Sequence, residues 1–243
     1  MLLQGKTALV TGSAKRVGRA IAEALAAAGA DIAIHYGRSA DAAAEAAEHI
    51  RRTTGRRAEV FQADLARPDE IERLFRQVGE AFGRLDVLVN NAGVYHRTPI
   101  SDLTAEQWDA EMAVNARAPA LCIRCALPLM SDGGVIVNIA DVGAEKGWAG
   151  YPAYCASKAA VIALTKSAAR ALAKRGIRVN SVSPGIVMWA DDRPDEDHDA
   201  VLAQVPLGRP GSAADIAAAV MFLIGNDYVT AQNLRVDGGW HTS

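Results

Sequence analysis

Short apolar runs alternate along most of the chain with longer segments of helical period. The runs at residues 7–11 (TALVT), 32–36, 58–62, 86–90 (DVLVN), 135–139, 177–182 and 233–236 are brief, and they read as strands. Between and after them, residues 17–28, 41–54, 68–82, 104–130, 154–175 and 213–224 carry the 3.6-residue period of helices. Gly29 closes the first helix, and Pro119 and Pro128 interrupt the long pattern over 104–130. Strand and helix in strict alternation predict βαβ units. The fold class is therefore α/β, one doubly wound parallel sheet with helices on both faces, in a single domain over 1–243. Residues 184–211 break the pattern. They lack periodicity, hold four prolines and carry the acidic cluster Asp191-Asp192, Asp195-Glu196-Asp197. A long loop in a compact domain is either a functional lid or a disordered segment, and here a substrate loop is expected.

Composition narrows the class. Half of the 243 residues are hydrophobic, enough for a large core. With 26 basic and 28 acidic residues the net charge is −2, which points away from nucleic acid and from an anionic membrane surface. No apolar run reaches the roughly 18 residues of a membrane span. The start, MLLQGKTALVTG, runs directly into a strand with no secretory signal. Cys122, Cys125 and Cys155 cannot make a disulfide framework, and Cys122-x-x-Cys125 lacks the second pair a metal site needs. A cytoplasmic enzyme or binding domain without metal is expected.

The turn after the first strand gives that domain a ligand. Gly12, Lys15, Arg16, Val17 and Gly18 lie between a strand and a helix, where a dinucleotide site needs a tight turn and a close backbone approach. The following helix start offers free N–H groups and a positive dipole end to a pyrophosphate. At the end of the second strand an NAD site usually carries an acidic residue, whereas this chain reads His35-Tyr36-Gly37-Arg38-Ser39. Arg38 and Ser39 suit a 2′-phosphate, Lys15 and Arg16 add positive charge, and NADPH is the expected cofactor. Asp64, followed by Leu65, is a candidate acceptor for the adenine amino group. Asn91-Ala92-Gly93 ends the fourth strand with small residues that let a cofactor pass close.

Chemistry enters with Tyr154 and Lys158, whose four-residue spacing puts them on one helix face. An ammonium one turn away favours phenolate and is expected to lower the tyrosine pKa toward neutrality.

Taken together, the TG-x5-G turn, Asn91-Ala92-Gly93, Asn115, Tyr154-x-x-x-Lys158, Pro184-Gly185 and Asp237-Gly238-Gly239 resemble the short-chain dehydrogenase/reductase family, with its Rossmann-type fold. The resemblance implies that Tyr154 is the proton donor. It also implies that Lys158 tunes Tyr154 and holds the nicotinamide ribose, that Asn115 supports a proton-relaying water, and that Pro184 and Gly185 border the cofactor. A homotetramer built through the helices over 104–130 and 154–175, and a C-terminal Trp240-His241 reaching a neighbouring site, follow from the same likeness.

Two positions depart from the common pattern. Arg16 replaces a glycine, and Asp141 stands where serine is usual, thirteen residues before the tyrosine. An ionised Asp cannot donate a hydrogen bond, but burial can preserve its proton. With His35-Tyr36-x-Arg38-Ser39, Asp191-Asp192 and Val205-Pro206-Leu207, these residues resemble the pteridine and dihydrofolate reductase branch. That likeness implies a dihydropterin-type substrate contacted by Arg16, Tyr95, Asp141, Tyr154 and Trp189, with Tyr95 stacking on a flat ring. Gly93, where that branch often has serine, favours the alternative of a carbonyl reductase of the 3-ketoacyl type. A cofactor-sensing protein without turnover is the third possibility, opposed by the intact Tyr154, Lys158 and Asn115.

Overall fold

The computed structural model describes residues 3–187 and 198–242. Its strands are β1 (Thr7–Val10), β2 (Asp31–Tyr36), β3 (Ala58–Gln62), β4 (Leu85–Asn90), β5 (Met130–Ile139), β6 (Arg178–Pro184) and β7 (Asn233–Val236). They form one seven-stranded sheet in the order β3-β2-β1-β4-β5-β6-β7. All pairings are parallel. The helices that cross between them are α1 (Arg16–Ala27), α2 (Ala40–Thr54), α3 (Pro68–Phe82), α4 (Ala105–Met112), α5 (Ala118–Ala126), α6 (Gly143–Lys146), α7 (Pro152–Leu172), α8 (His198–Leu202) and α9 (Ala213–Gly225).

Side chains alternate across a strand, so a sheet buried on both faces has two cores. Ala8, Val10, Val87, Val89, Val135 and Val137 point into one core, under α1, α2 and α9. Leu9, Leu88 and Ile136 point the other way, into a core filled from α3, α5 and α7. The strand order reverses between β1 and β4, and a crevice opens at such a switch point beyond the carboxyl ends of the strands. The turns after β1, β4, β5 and β6 all meet at that edge.

Most strands and helices fall within a residue or two of their predicted bounds. The exceptions have local causes. The expected helix over 104–130 is two helices joined by a π turn, Ala113–Arg117, and ends before Met130. Pro119 has no N–H for the Asn115 carbonyl four residues back, and its ring crowds that carbonyl, so the turn widens. β5 begins five residues early because Met130 pairs with Leu85, with a register irregularity before the Val87–Val135 pair. α7 starts at Pro152, a first-turn position where a missing N–H costs nothing. Short α6 and α8 were not signalled by periodicity. Among the described residues, no helix is long and apolar enough to cross a membrane.

Candidate active site

The turn after β1 is fixed from three sides. Gly12 has φ +65°, a left-handed conformation that glycine adopts without strain, and its N–H donates to His35 Nδ1 at 3.0 Å. The Asn91 side-chain amide donates to the carbonyls of Thr11 and Gly12, at 2.9 and 3.2 Å. Thr11 Oγ1 accepts the backbone N–H groups of Asn91 and Ala92. α1 presses against this turn so closely that a Cβ on Gly18 would lie 2.3 Å from the Gly12 carbonyl oxygen. Gly18 is thus required for packing at the turn.

The predicted cofactor residues separate into two groups. Lys15, Arg16 and Arg38 are exposed around the turn and the end of β2. Arg16 holds φ +52°, a conformation that costs a non-glycine residue about 1–3 kcal/mol. Ser39 precedes α2 without capping it through its side chain. His35 takes a different place from the one expected. It is buried beneath the turn, its Nε2 meeting the Ala63 carbonyl at 3.0 Å, and burial lowers its pKa to about 4. The neutral ring accepts from Gly12 and donates to Ala63, tying the turn to β2 and β3. Tyr36 and Val17 pack against the first core and Leu65 is buried in the second, so their side chains face protein. Asp64 is exposed, and its carboxylate accepts the Ala66 N–H at 2.9 Å in the turn before α3.

Across the crevice, α7 carries Tyr154 and Lys158 on its buried face. Tyr154 donates its hydroxyl to Asp141 Oδ2 at 2.7 Å, and Asp141 Oδ1 accepts the Gly143 N–H at 2.7 Å. Lys158 lies beneath, donating to the Ile139 carbonyl at 3.0 Å, with Nζ 5.7 Å from the centre of the Tyr154 ring. Burial pushes Asp141 up to about 6, against the pull of the Gly143 N–H, the Tyr154 hydroxyl and the Lys158 charge. Burial and the adjoining Asp141 push Tyr154 well above its ordinary value. The expected lowering of the tyrosine by Lys158 is therefore corrected. The carboxylate touches the phenol directly, while the ammonium is farther away and itself weakened by burial. Such a phenol is a proton donor rather than a standing phenolate.

Asn115 sits in the π turn with both ends of its amide engaged. Oδ1 accepts from Val94 N at 2.9 Å, and Nδ2 donates to Val94 O at 2.9 Å and to Glu111 at 2.7 Å. A Cβ on Gly93 would lie 3.1 Å from Asn115 Oδ1 and 3.5 Å from Lys158 Nζ, so both groups border the same point. Pro184 ends β6 and its carbonyl accepts from Val142, while Gly185 packs too tightly on Asp237 for any side chain. Tyr95 stacks on Tyr151 at 4.5 Å and meets Tyr154 edge-on at 4.5 Å. The ring expected to stack on a flat substrate thus lies beside Tyr154, with one face occupied by Tyr151. Trp189 and Asp191-Asp192 lie outside the described residues. Trp240 packs on Trp148 of its own chain at 5.8 Å, and its carbonyl accepts from Lys146.

The sequence reading missed Trp148, Tyr151 and Glu111. Glu111 alone had a signal, since it precedes Asn115 by four residues and so shares its face. Among the described residues, no group of three or more His, Cys, Asp or Glu is placed to hold a metal. The edge holds what a dinucleotide needs: a glycine turn too tight for a side chain, a helix start and exposed cations.

Known proteins share this fold. A family model described as enoyl-(acyl carrier protein) reductase, of the short-chain dehydrogenase group, matches residues 12–241. The 3-oxoacyl-(acyl-carrier-protein) reductase FabG of Staphylococcus aureus is 39% identical over 242 residues, covering 97% of this chain and 98% of that protein. A short-chain dehydrogenase of Burkholderia cenocepacia, solved in complex with NADP, shares 40% identity with a TM-score of 0.93, covering 100% of both chains. The angucycline C-6 ketoreductase LanV, solved with bound NADP, shares 38% identity with a TM-score of 0.94, covering 100% of this chain and 98% of that one. Fold and likeness coincide along the chain, which belongs to the short-chain dehydrogenase/reductase family.

Proposed function

We propose that the protein is an NADPH-dependent carbonyl reductase acting on a 3-oxoacyl-type ketone. The observation that carries the reading is the placing of Tyr154 over the buried Lys158 at the edge of the switch-point crevice, with Nζ 5.7 Å from the ring centre. The nearly full-length likeness to 3-oxoacyl reductases and to a ketoreductase supports the ketone. Gly12, Gly18 and the start of α1 hold the pyrophosphate, and Arg38 and Ser39, aided by Lys15 and Arg16, take the 2′-phosphate. When bound, NADPH supplies the hydride that reduces the carbonyl carbon.

Tyr154 delivers its proton to the carbonyl oxygen as that oxygen becomes an alkoxide, a base far stronger than a phenolate. Asp141, in the place of the usual serine, polarises the carbonyl only while protonated, because a carboxylate has no hydrogen to donate. The ionised form instead accepts the Tyr154 hydroxyl and holds its proton back. Catalysis is therefore expected to fall as pH rises through about 6. Lys158 remains the buried cation that balances this charge, and it orients the nicotinamide ribose.

A dihydropterin or dihydrofolate imine is the second reading, favoured by Asp141 itself. A protonated carboxyl beside Tyr154 suits a ring nitrogen that must gain a proton. NADPH oxidation measured side by side with a 3-oxoacyl thioester, dihydrobiopterin and dihydrofolate separates the two. Turnover of the thioester with little from either pterin supports the ketone. Turnover confined to the pterins overturns it and makes Asp141 the specificity residue.

A further inference from the structure

Glu111 is the one buried residue of α4, with no exposed surface. A carboxylate in that position is expensive, and an apolar side chain of similar size often serves stability as well or better. Three donors nevertheless converge on it: Asn115 Nδ2 at 2.7 Å, the His96 backbone N–H at 2.8 Å and His96 Nδ1 at 2.8 Å. A carboxylate only accepts, so His96 Nδ1 carries its hydrogen, while the largely exposed ring reaches solvent. The contact also decides how the Asn115 amide faces. With Nδ2 shared between Glu111 and the Val94 carbonyl, Oδ1 turns toward the Val94 N–H and the gap beside Gly93, which Lys158 Nζ also borders. A reversed amide would set its oxygen against two acceptors.

We propose that Glu111, steadied by His96, is a positioning residue that orients the Asn115 amide toward the gap that Lys158 also borders. The proposal rests on Tyr154 and Lys158 as the reacting pair, and not on which substrate is reduced.

The test uses the full chain with NADPH and the variants Glu111→Leu, Glu111→Gln and His96→Ala. Glu111→Leu removes the acceptor that orients Asn115, and kcat is expected to fall roughly 10- to 100-fold with little change in the substrate KM. Glu111→Gln keeps an acceptor for Asn115 and should restore most of kcat. His96→Ala, which loosens the carboxylate, should lower kcat by less than Glu111→Leu. Unchanged kcat in Glu111→Leu, or a Glu111→Gln as impaired as Glu111→Leu, overturns the proposal. If Glu111→Leu fails to fold, a double-mutant cycle of Glu111→Gln with Asn115→Ala decides, and strictly additive losses overturn the proposal. If the wild type reduces none of the substrates tried, the proposed function fails, and the same cycle read by NADPH affinity decides the role of Glu111.

Discussion

Two aspartates at opposite ends of the sheet have opposite surroundings. Asp86, at the start of β4, lies on the amino edge with Arg84, Lys6 and the Thr7 N–H around its carboxylate. Burial alone would raise its pKa, but these partners outweigh burial and hold it below the ordinary value. Asp141, after β5, lies on the carboxyl edge, where its hydrogen bonds come from a phenol and a backbone N–H. Burial wins there and raises it to about 6. The same residue type is thus held as an anion where cations surround it, and keeps its proton to a higher pH where a neutral donor faces it. Loops at the carboxyl ends of a parallel sheet hold the chemistry, and the amino ends hold the fold.

Removing the proton that Asp141 competes for gives the largest expected effect. Tyr154→Phe should lower turnover about 10²- to 10⁴-fold while NADPH still binds, as read by rate and by cofactor fluorescence titration. Retained turnover would remove Tyr154 from the reaction. Next in size is Asp86→Asn, which should lose about 2–3 kcal/mol of stability with activity per folded molecule unchanged. Because its folded pKa is depressed, the Asp86 contribution is present above the unfolded value of 3.8 and is lost as pH falls through the lower folded value. Urea midpoints of the wild type and variant should accordingly converge in acid. An effect of similar size, spread over a pH slope, belongs to the stability of Asp141→Ser. A raised folded pKa means that the wild type is favoured below 3.8 and loses stability as pH rises through about 6. Replacing Asp141 should remove that slope, worth about 2–3 kcal/mol between the two ends. A slope that survives the substitution would place its origin elsewhere.

Much of this was legible in the sequence because strand, helix and turn signals are local. Gly12 and Gly18 announced the nucleotide turn, and the spacing of Tyr154 and Lys158 announced a shared helix face. What escaped was the meaning of contacts distant in sequence. His35 reads as a ribose-edge residue, yet it holds the Gly12 turn from beneath across 23 positions. Tyr151 and Trp148 read as ordinary residues before a helix, yet with Tyr95 they form the aromatic wall around Tyr154. The π turn at Asn115 was encoded by Pro119, but a proline in a helical pattern says only that the helix is disturbed. The direction of the Tyr154 shift depended on which charge lies nearer, a question of tertiary distance that spacing along one helix cannot answer.

The central claim is that Asp141 must carry its proton for Tyr154 to give up its own. The most direct measurement is the pH dependence of kcat for NADPH-linked ketone reduction in the wild type and in Asp141→Ser, with NADPH saturating. The account predicts a wild-type rate that declines as pH rises through about 6, and a variant in which that decline is gone. A wild-type profile flat through that region, or a decline that persists in the variant, would contradict it.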